Sequence, residues 1–277
     1  MNNFIFPFFK TTKLRKHNIN YLDTYAKRKK NNKNILLFIP GAGGCVYNWK
    51  HQIEFFYKKG YRVISYDPIS QGQSDFVKDY NFDEHFKDFL ALLDFLKIKE
   101  NLILITHSSS TQIALRYIKN KDEYNGRLKK LVLISVSLKE NDPFWWKLFI
   151  SMPRFILNKI YKKLSKKTNL IHYLYFSKKT PRKIVVEFLN ENNIPNIETL
   201  LIFKTYWYFD AEPWIKKCDI KTLILSGKED ILVKTENDIE VSNTFINSKL
   251  EFIEDAGHMC YYEKPDEVNK KINNFIK

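Results

Sequence analysis

Six short apolar runs punctuate the chain, at Ile35–Ile39, Arg62–Tyr66, Leu102–Thr106, Leu131–Ser135, Thr222–Ser226 and Leu250–Ile253. Four read as continuous Ile/Leu/Val/Phe, the mark of strands buried on both faces. Between the runs the apolar positions take a helical period. Over His85–Leu96, for example, Phe86, Phe89, Leu90, Leu93 and Phe95 gather on one side. Strand alternating with helix predicts an α/β fold with a mostly parallel sheet and right-handed crossovers. Ahead of the first run, Lys16–Tyr25 alternates weakly through Ile19 and Tyr21 and predicts an antiparallel edge hairpin.

The rhythm breaks between about residues 139 and 217. The pattern there is helical and aromatic, with Trp145, Trp146, Phe149, Phe155, Tyr161, Tyr173, Tyr175, Phe176, Trp207 and Phe209, and the sheet resumes at Thr222. This predicts an α/β core made of residues 1–138 and 218–277, with residues 139–217 inserted after the sixth strand as a helical cap. Lys27–Asn34 reads as a solvated loop, and no internal repeat is present.

The 277 residues are 44% hydrophobic and 28% charged, which suits a packed domain and excludes wholesale disorder. No apolar run reaches the roughly 18 residues of a membrane span, and Phe4–Phe9 is too short and lacks the charged leader of a secretory signal. The three cysteines, Cys45, Cys218 and Cys260, are far apart and form no C-x-x-C pair. That argues against disulfides and a cysteine zinc site, and for a reducing, cytoplasmic compartment. The net charge of +15 is unevenly placed. Residues 1–34 carry nine Lys/Arg against Asp23 alone, and residues 147–183 carry eleven with no acid, which leaves the rest mildly acidic.

Three segments carry candidate chemistry. Asn101–Ile118 is an apolar strand, a polar knot His107-Ser108-Ser109-Ser110, then an amphipathic helix. A serine on a sharp strand-to-helix turn projects its hydroxyl above the sheet, with a helix N-terminus beside it to meet negative charge. Ser108 fits that position, although a run of serines can equally be a helix cap. Asp230 lies just past the strand Thr222–Ser226 and a Gly turn, and His258 follows Gly257 on the loop after another strand. Loops at the carboxyl ends of parallel strands converge on one edge, so the three can meet. Serine needs a histidine to take its proton, and that histidine needs a carboxylate to fix its tautomer.

At these residues the chain resembles the α/β-hydrolase superfamily, from about Ile35 to the end apart from the insertion. The order Ser108, Asp230, His258 is that of the superfamily. His107 before the serine and Ala114-Leu115-Arg116-Tyr117 after it continue the nucleophile elbow. Gly257-His258 with Glu263 and Pro265 is similar to its histidine tail. The resemblance implies an oxyanion hole from the amides of Ala42, in Ile39-Pro40-Gly41-Ala42-Gly43, and of Ser109. It also implies a mainly structural role for Asp67 through Asp75. The sequence departs from the pattern at Thr106, Ser110 and Thr111, where the elbow usually carries small residues or Gly, and at Pro40, where many relatives have His. Ser109 and Ser110 stay as alternative nucleophiles. A nucleophilic aspartate would have to occupy position 108.

Other readings are weaker. Val46 stands where a dinucleotide-binding loop needs its third Gly. Cys45 and Cys260 read as packing residues, and His107 as a structural histidine. His17, His51, His85 and His172 lack metal-ligand spacing, so neither a metal nor a cofactor is expected. The aromatic residues of the insertion, Trp145, Trp146, Phe149 and Trp207 among them, are expected either to line an apolar acyl pocket or to form the insertion's own core. Pro153–Leu164 sets Ile156, Ile160 and Leu164 on one stripe with Lys159, Lys162, Lys163, Lys166 and Lys167 nearby. Such a basic amphipathic helix suits an anionic membrane surface or an acidic partner such as acyl carrier protein, or is a solvated face. Nucleic acid is not expected.

These features together predict a serine hydrolase acting on a carboxylic ester or thioester with an apolar acyl group. The alternatives are a hydrolase of carrier-protein-linked esters, of the kind that demethylates pimeloyl-carrier-protein methyl ester in biotin synthesis, an acyltransferase, and a catalytically silent binding scaffold.

Overall fold

The computed structural model of the protein describes residues 6–25, 33–120, 126–139, 144–164, 168–191, 197–206 and 209–277. Eight strands form one sheet: β1 (Phe9–Leu14), β2 (His17–Asp23), β3 (Ile35–Ile39), β4 (Arg62–Tyr66), β5 (Leu102–His107), β6 (Leu128–Ile134), β7 (Thr222–Gly227) and β8 (Ser248–Ile253). Their order across the sheet is β1-β2-β4-β3-β5-β6-β7-β8. The pairs β1–β2 and β2–β4 are antiparallel and every other neighbouring pair is parallel.

All six apolar runs therefore lie in strands. The weak alternation at Lys16–Tyr25 is the second arm of a hairpin whose first arm, β1, has no counterpart in the apolar pattern. Phe-Lys-Thr-Thr-Lys-Leu at the sheet edge is half exposed, so it lacks the run that marks a central strand.

The helices are α1 (Lys50–Lys58), α2 (Phe82–Phe95), α3 (Thr111–Lys119), α4 (Phe144–Ile150), α5 (Arg154–Leu164), α6 (Thr168–Tyr175), α7 (Arg182–Glu191), α8 (Ile197–Leu201), α9 (Glu212–Ile215), α10 (Thr235–Thr244), α11 (Cys260–Glu263) and α12 (Pro265–Ile276). α2 begins where Asn81 caps the Glu84 amide at 2.9 Å, with Asp83 and Glu84 in its positive first turn.

Successive residues of each central strand point to opposite faces and join two separate cores. Leu37, Ile39, Ile64, Leu104, Leu133 and Ile224 meet α2, α3 and α10 on one face. Leu36, Phe38, Val63, Ile105, Val132 and Leu225 meet α1 and α12 on the other. Because both faces are covered, β4, β5 and β7 are buried along their whole length.

Between β6 and β7 the described residues form α4–α9, and the two ends of this segment are pinned together. Lys139 bridges Asp210, and the Ala211 amide donates to the Leu138 carbonyl at 3.0 Å. Phe176 and Val185 join the core on the α1/α12 face, whereas among the described side chains of α4 and α5 only Ile150 and Leu157 are buried.

Candidate active site

The carboxyl ends of β5, β6, β7 and β8 bring the candidate residues to one edge of the sheet. Ser108 directly follows β5 and has φ 51°, a left-handed conformation disfavoured for a residue with a Cβ. The chain turns there from strand into a 3₁₀ turn and α3. A Cβ at Gly41 would lie 3.0 Å from His107 Nδ1 and 3.2 Å from Ser108 Cβ, so the loop passes close against the elbow. Neither the Ala42 nor the Ser109 amide is consumed by a hydrogen bond elsewhere among the described residues.

Ser110 is buried, accepts from the His107 amide at 3.0 Å and reaches the Ile39 and His107 carbonyls at 2.9 Å. It ties the elbow to β3 and has no free hydroxyl. Ser108 and Ser109 are both partly exposed with no bond to their hydroxyls among the described residues, and of the two only Ser108 holds the left-handed elbow position. Thr106 is accommodated in the buried strand with its hydroxyl unpartnered.

Asp230 and His258 are both buried, and His258 Nδ1 lies 2.8 Å from Asp230 Oδ2. A carboxylate so close fixes the proton on Nδ1 and leaves Nε2 to act as base. Three more donors surround Asp230: the amides of Leu232 and Val233, each 2.9 Å from Oδ1, and the Ser135 hydroxyl, 2.8 Å from Oδ2. Burial pushes the Asp230 carboxyl up, but the His258 charge and hydrogen bond, the Val233 amide and Ser135 outweigh it and hold the group below the ordinary value. The carboxylate is ionised at neutral pH.

Two glycines let the Asp230 and His258 loops meet. A Cβ at Gly227 would lie 2.1 Å from the Gly257 carbonyl oxygen, and one at Gly257 would lie 2.8 Å from the Phe176 backbone. Glu263 then anchors the histidine loop. Its buried carboxylate accepts the Gly257 and Ser177 amides, each at 2.8 Å, and the Thr180 hydroxyl. The Glu and Gly of the histidine tail thus act on backbone, and join it to the α6–α7 turn.

His107 is a fixed, neutral histidine. Its Nε2 is 3.0 Å from the His258 carbonyl oxygen, an acceptor only, so Nε2 carries the proton. Burial and the nearby His258 hold its pKa well below the usual value. Its ring lies 4.5 Å from that of His258, which sets the base beside the elbow, and no hydrogen bond yet joins Ser108 to His258. Burial pushes both the Cys45 and Cys260 thiols up, away from the reactive thiolate. Asp67 accepts from Asn20, Val46 and Gln73 at 2.7–2.9 Å and so ties β2 and the loop after β4 to the loop bearing Ala42.

The aromatic residues of the insertion are arranged differently from one another. Trp146 and Phe149 are half-buried and stack at 5.5 Å, whereas Trp145 is exposed; Trp207 lies outside the described residues. Among the described residues, the insertion's ring nearest His258 is Tyr175, centroid to centroid 6.0 Å, and its carbonyl accepts the Met259 amide at 3.0 Å.

Sequence reasoning singled out neither Tyr175 from its aromatic neighbours nor Ser135 and Asp238. Ser135, at φ 53°, follows β6 beside Asp230, and Asp238 is a buried carboxyl behind it that accepts the Val136 amide at 2.8 Å. Desolvation raises Asp238 to about 8, further raised by Asp230 and opposed by Ser226 and the Val136 amide. A serine closing the apolar run Leu131–Ser135 was the available signal for the first, and the sequence carries none for Asp238.

The family described as alpha/beta hydrolase fold matches residues 34–265. Protein ABHD8 of Mus musculus is 24% identical over 252 residues, covering 87% of this chain, and the chain spans 55% of that protein's length. The uncharacterized hydrolase YugF of Bacillus subtilis is 25% identical over 280 residues, 95% of this chain and 98% of that protein. Among solved structures, the bromoperoxidase from Bacillus anthracis superposes with a TM-score of 0.81 at 19% identity, covering 97% of this chain and 99% of that one.

Proposed function

The chain belongs to the alpha/beta hydrolase fold family, and we propose that within it the protein is a serine hydrolase that cleaves a carboxylic ester or thioester through an acyl-enzyme on Ser108. The observation that carries this reading is the pairing of a left-handed serine at the end of β5 with a buried His258–Asp230 couple, 2.8 Å apart, on the neighbouring loops.

Ser108 Oγ attacks the substrate carbonyl carbon while its proton passes to His258 Nε2. Asp230 holds the opposite nitrogen and stabilises the imidazolium. The amides of Ala42 and Ser109 receive the oxyanion; being backbone groups fixed by the elbow and the Gly41 turn, they need no reorganisation as the charge develops. Collapse expels the alkoxide or thiolate, which takes the proton from His258. Water activated by the same imidazole then attacks the acyl-enzyme and frees the acid and Ser108. The hydrogen bond from Ser108 to Nε2 is made in the substrate complex, as catalytic bonds often are.

The segment α4–α9 serves as a lid over this edge. Tyr175, against His258, supports that placement, and Trp146 with Phe149 supplies the apolar stack suited to an acyl chain.

Labelling with a fluorophosphonate probe tests the proposal. Covalent modification at Ser108, lost in Ser108→Ala together with hydrolysis of short p-nitrophenyl esters, is the expected result. A folded wild-type protein that stays unlabelled and inert across acyl esters and thioesters would sink it.

A further inference from the structure

The first two helices of the insertion leave an unusual surface. Phe144 is 81% exposed, Trp145 66% and Leu148 60% on α4, and Phe155 is 75% exposed on α5. At about 100° per residue, Phe144, Trp145 and Leu148 fall within one arc of roughly 100° on α4. On α5, Phe155, Lys159, Lys162 and Lys163 fall within a similar arc, opposite the buried Leu157. Large apolar side chains are seldom clustered on open surface unless something covers them.

Charge identifies the cover. Residues 144–164 contain Lys147, Arg154, Lys159, Lys162 and Lys163 and no acid. Arg154 is engaged by Asp79 and Glu198, and Lys159, Lys162 and Lys163 are exposed on the same arc of α5 as Phe155. A second copy of this face would bring like charges together. An acidic protein would satisfy the lysines but would also need an apolar face shaped to four large groups on two helices, a match that a fluid bilayer does not require. Lipid with anionic headgroups matches both: aromatic and aliphatic side chains enter the headgroup–acyl boundary, and lysines reach the phosphates around them. No described helix is long and apolar enough to cross a membrane, so the contact is interfacial.

We propose that the α4–α5 surface docks the protein onto anionic phospholipid bilayers, with Phe144, Trp145, Leu148 and Phe155 inserted and Lys159, Lys162 and Lys163 on the headgroups. Docking does not depend on the serine chemistry, so either reading can fail without the other.

Co-sedimentation of the full chain with vesicles tests it, using phosphatidylcholine alone and phosphatidylcholine with about one-third phosphatidylglycerol. The expected result is binding to the mixed vesicles at low salt, at least about tenfold weaker on phosphatidylcholine alone, and weakened by added salt. Neutralising Lys159, Lys162 and Lys163 to Gln lowers partitioning about fivefold per lysine, roughly a hundredfold in total. Leu148→Ser with Phe155→Ser lowers it at least about tenfold. Both variants keep the wild-type melting temperature and the wild-type hydrolysis of a soluble short ester. No binding to the mixed vesicles overturns the proposal, and so does binding that both sets of substitutions leave unchanged, including binding carried by the basic residues 1–34.

Discussion

The edge of the sheet that bears Ser108 and the first two helices of the insertion are built on opposite terms. At the edge, the carboxylates of Asp230 and Glu263 are buried and saturated. Asp230 has four hydrogen-bond partners and Glu263 three, and glycine lets one backbone touch another. In α4 and α5, Phe144, Trp145, Leu148 and Phe155 are exposed, and among the described side chains only Ile150 and Leu157 are buried. Fixed geometry belongs where charge develops during a reaction, because dipoles that need not move stabilise it best. A face that gains its cover only from outside adds little to folding. The contrast separates the two proposals: the serine chemistry draws on the rigid sheet loops, and membrane docking draws on the outward residues of α4 and α5.

The sharpest way to break the comparison is at Asp230. Asp230→Asn keeps the shape but returns the wrong tautomer to His258, and the expected loss in kcat is about 10⁴-fold, measured on a short p-nitrophenyl ester with circular dichroism unchanged. A loss under about tenfold would show that the saturated carboxylate is structural. Next is Gly227→Ala. The added carbon would sit 2.1 Å from the Gly257 carbonyl oxygen, backbone against backbone with no side chain to yield. Destabilisation of about 3 kcal/mol or more is expected from the urea midpoint, because over-packing forces the two loops apart. The activity of whatever remains folded falls with it.

Much of this edge was legible in the chain itself. The central strands betrayed themselves by unbroken apolar runs because both faces are covered. The positions of Ser108, Asp230 and His258 followed because each lies at the carboxyl end of such a run. Ser110 and Glu263 show what was legible only in part. The sequence offered three adjacent serines; the hydrogen bonds of Ser110 to Ile39 and His107 engage that hydroxyl, and the left-handed turn at Ser108 separates it from Ser109. Glu263 could be matched to a pattern, but its acceptance of the Gly257 and Ser177 amides depends on a turn about 80 residues earlier in the chain. β1 and Asp238 were hidden for a common reason. An edge strand with half-exposed Thr and Lys has no apolar signature, and one aspartate in Glu-Asn-Asp-Ile-Glu looks like any solvated acid. Long-range packing makes it buried, and no local pattern records that.

Asp238 gives a third way to test how far the saturated edge extends behind the triad. Its Oδ1 accepts the Val136 amide, while Oδ2 and the Ser226 hydroxyl are buried without another partner. Desolvation raises its pKa from 3.8 to about 8, so the folded protein favours the protonated acid. The sign follows directly. Below the unfolded value both states are protonated and the group exerts no penalty. As pH climbs towards the folded value the unfolded chain gains ionisation that the folded one lacks, so stability is lost through this window. Asp238→Asn imitates the protonated acid and removes the loss. Its unfolding free energy matches that of the wild type near the acid end. At mildly alkaline pH it exceeds the wild type by roughly 2 kcal/mol or more, since each tenfold fall in proton concentration across the window costs the wild type about 1.4 kcal/mol at most. A constant difference between the two proteins across the same range would mean that the carboxyl is already ionised.

The smallest expected effect is the most telling about the other region. Leu148→Ser removes a large apolar group, as Leu104→Ala does, yet Leu148 is exposed and Leu104 is sealed between sheet and helices. Leu104→Ala should cost about 2–5 kcal/mol from lost transfer energy and the cavity left behind. Leu148→Ser should change the unfolding free energy by less than about 0.5 kcal/mol. Denaturant melts of the two variants in vesicle-free buffer decide the matter. A cost for Leu148→Ser approaching that of the core residue would mean that α4 already has a partner within the chain, and the division between a folded catalytic edge and an outward-facing apolar surface would disappear. A negligible cost leaves that leucine with no role in folding, so whatever keeps it there acts from outside the protein.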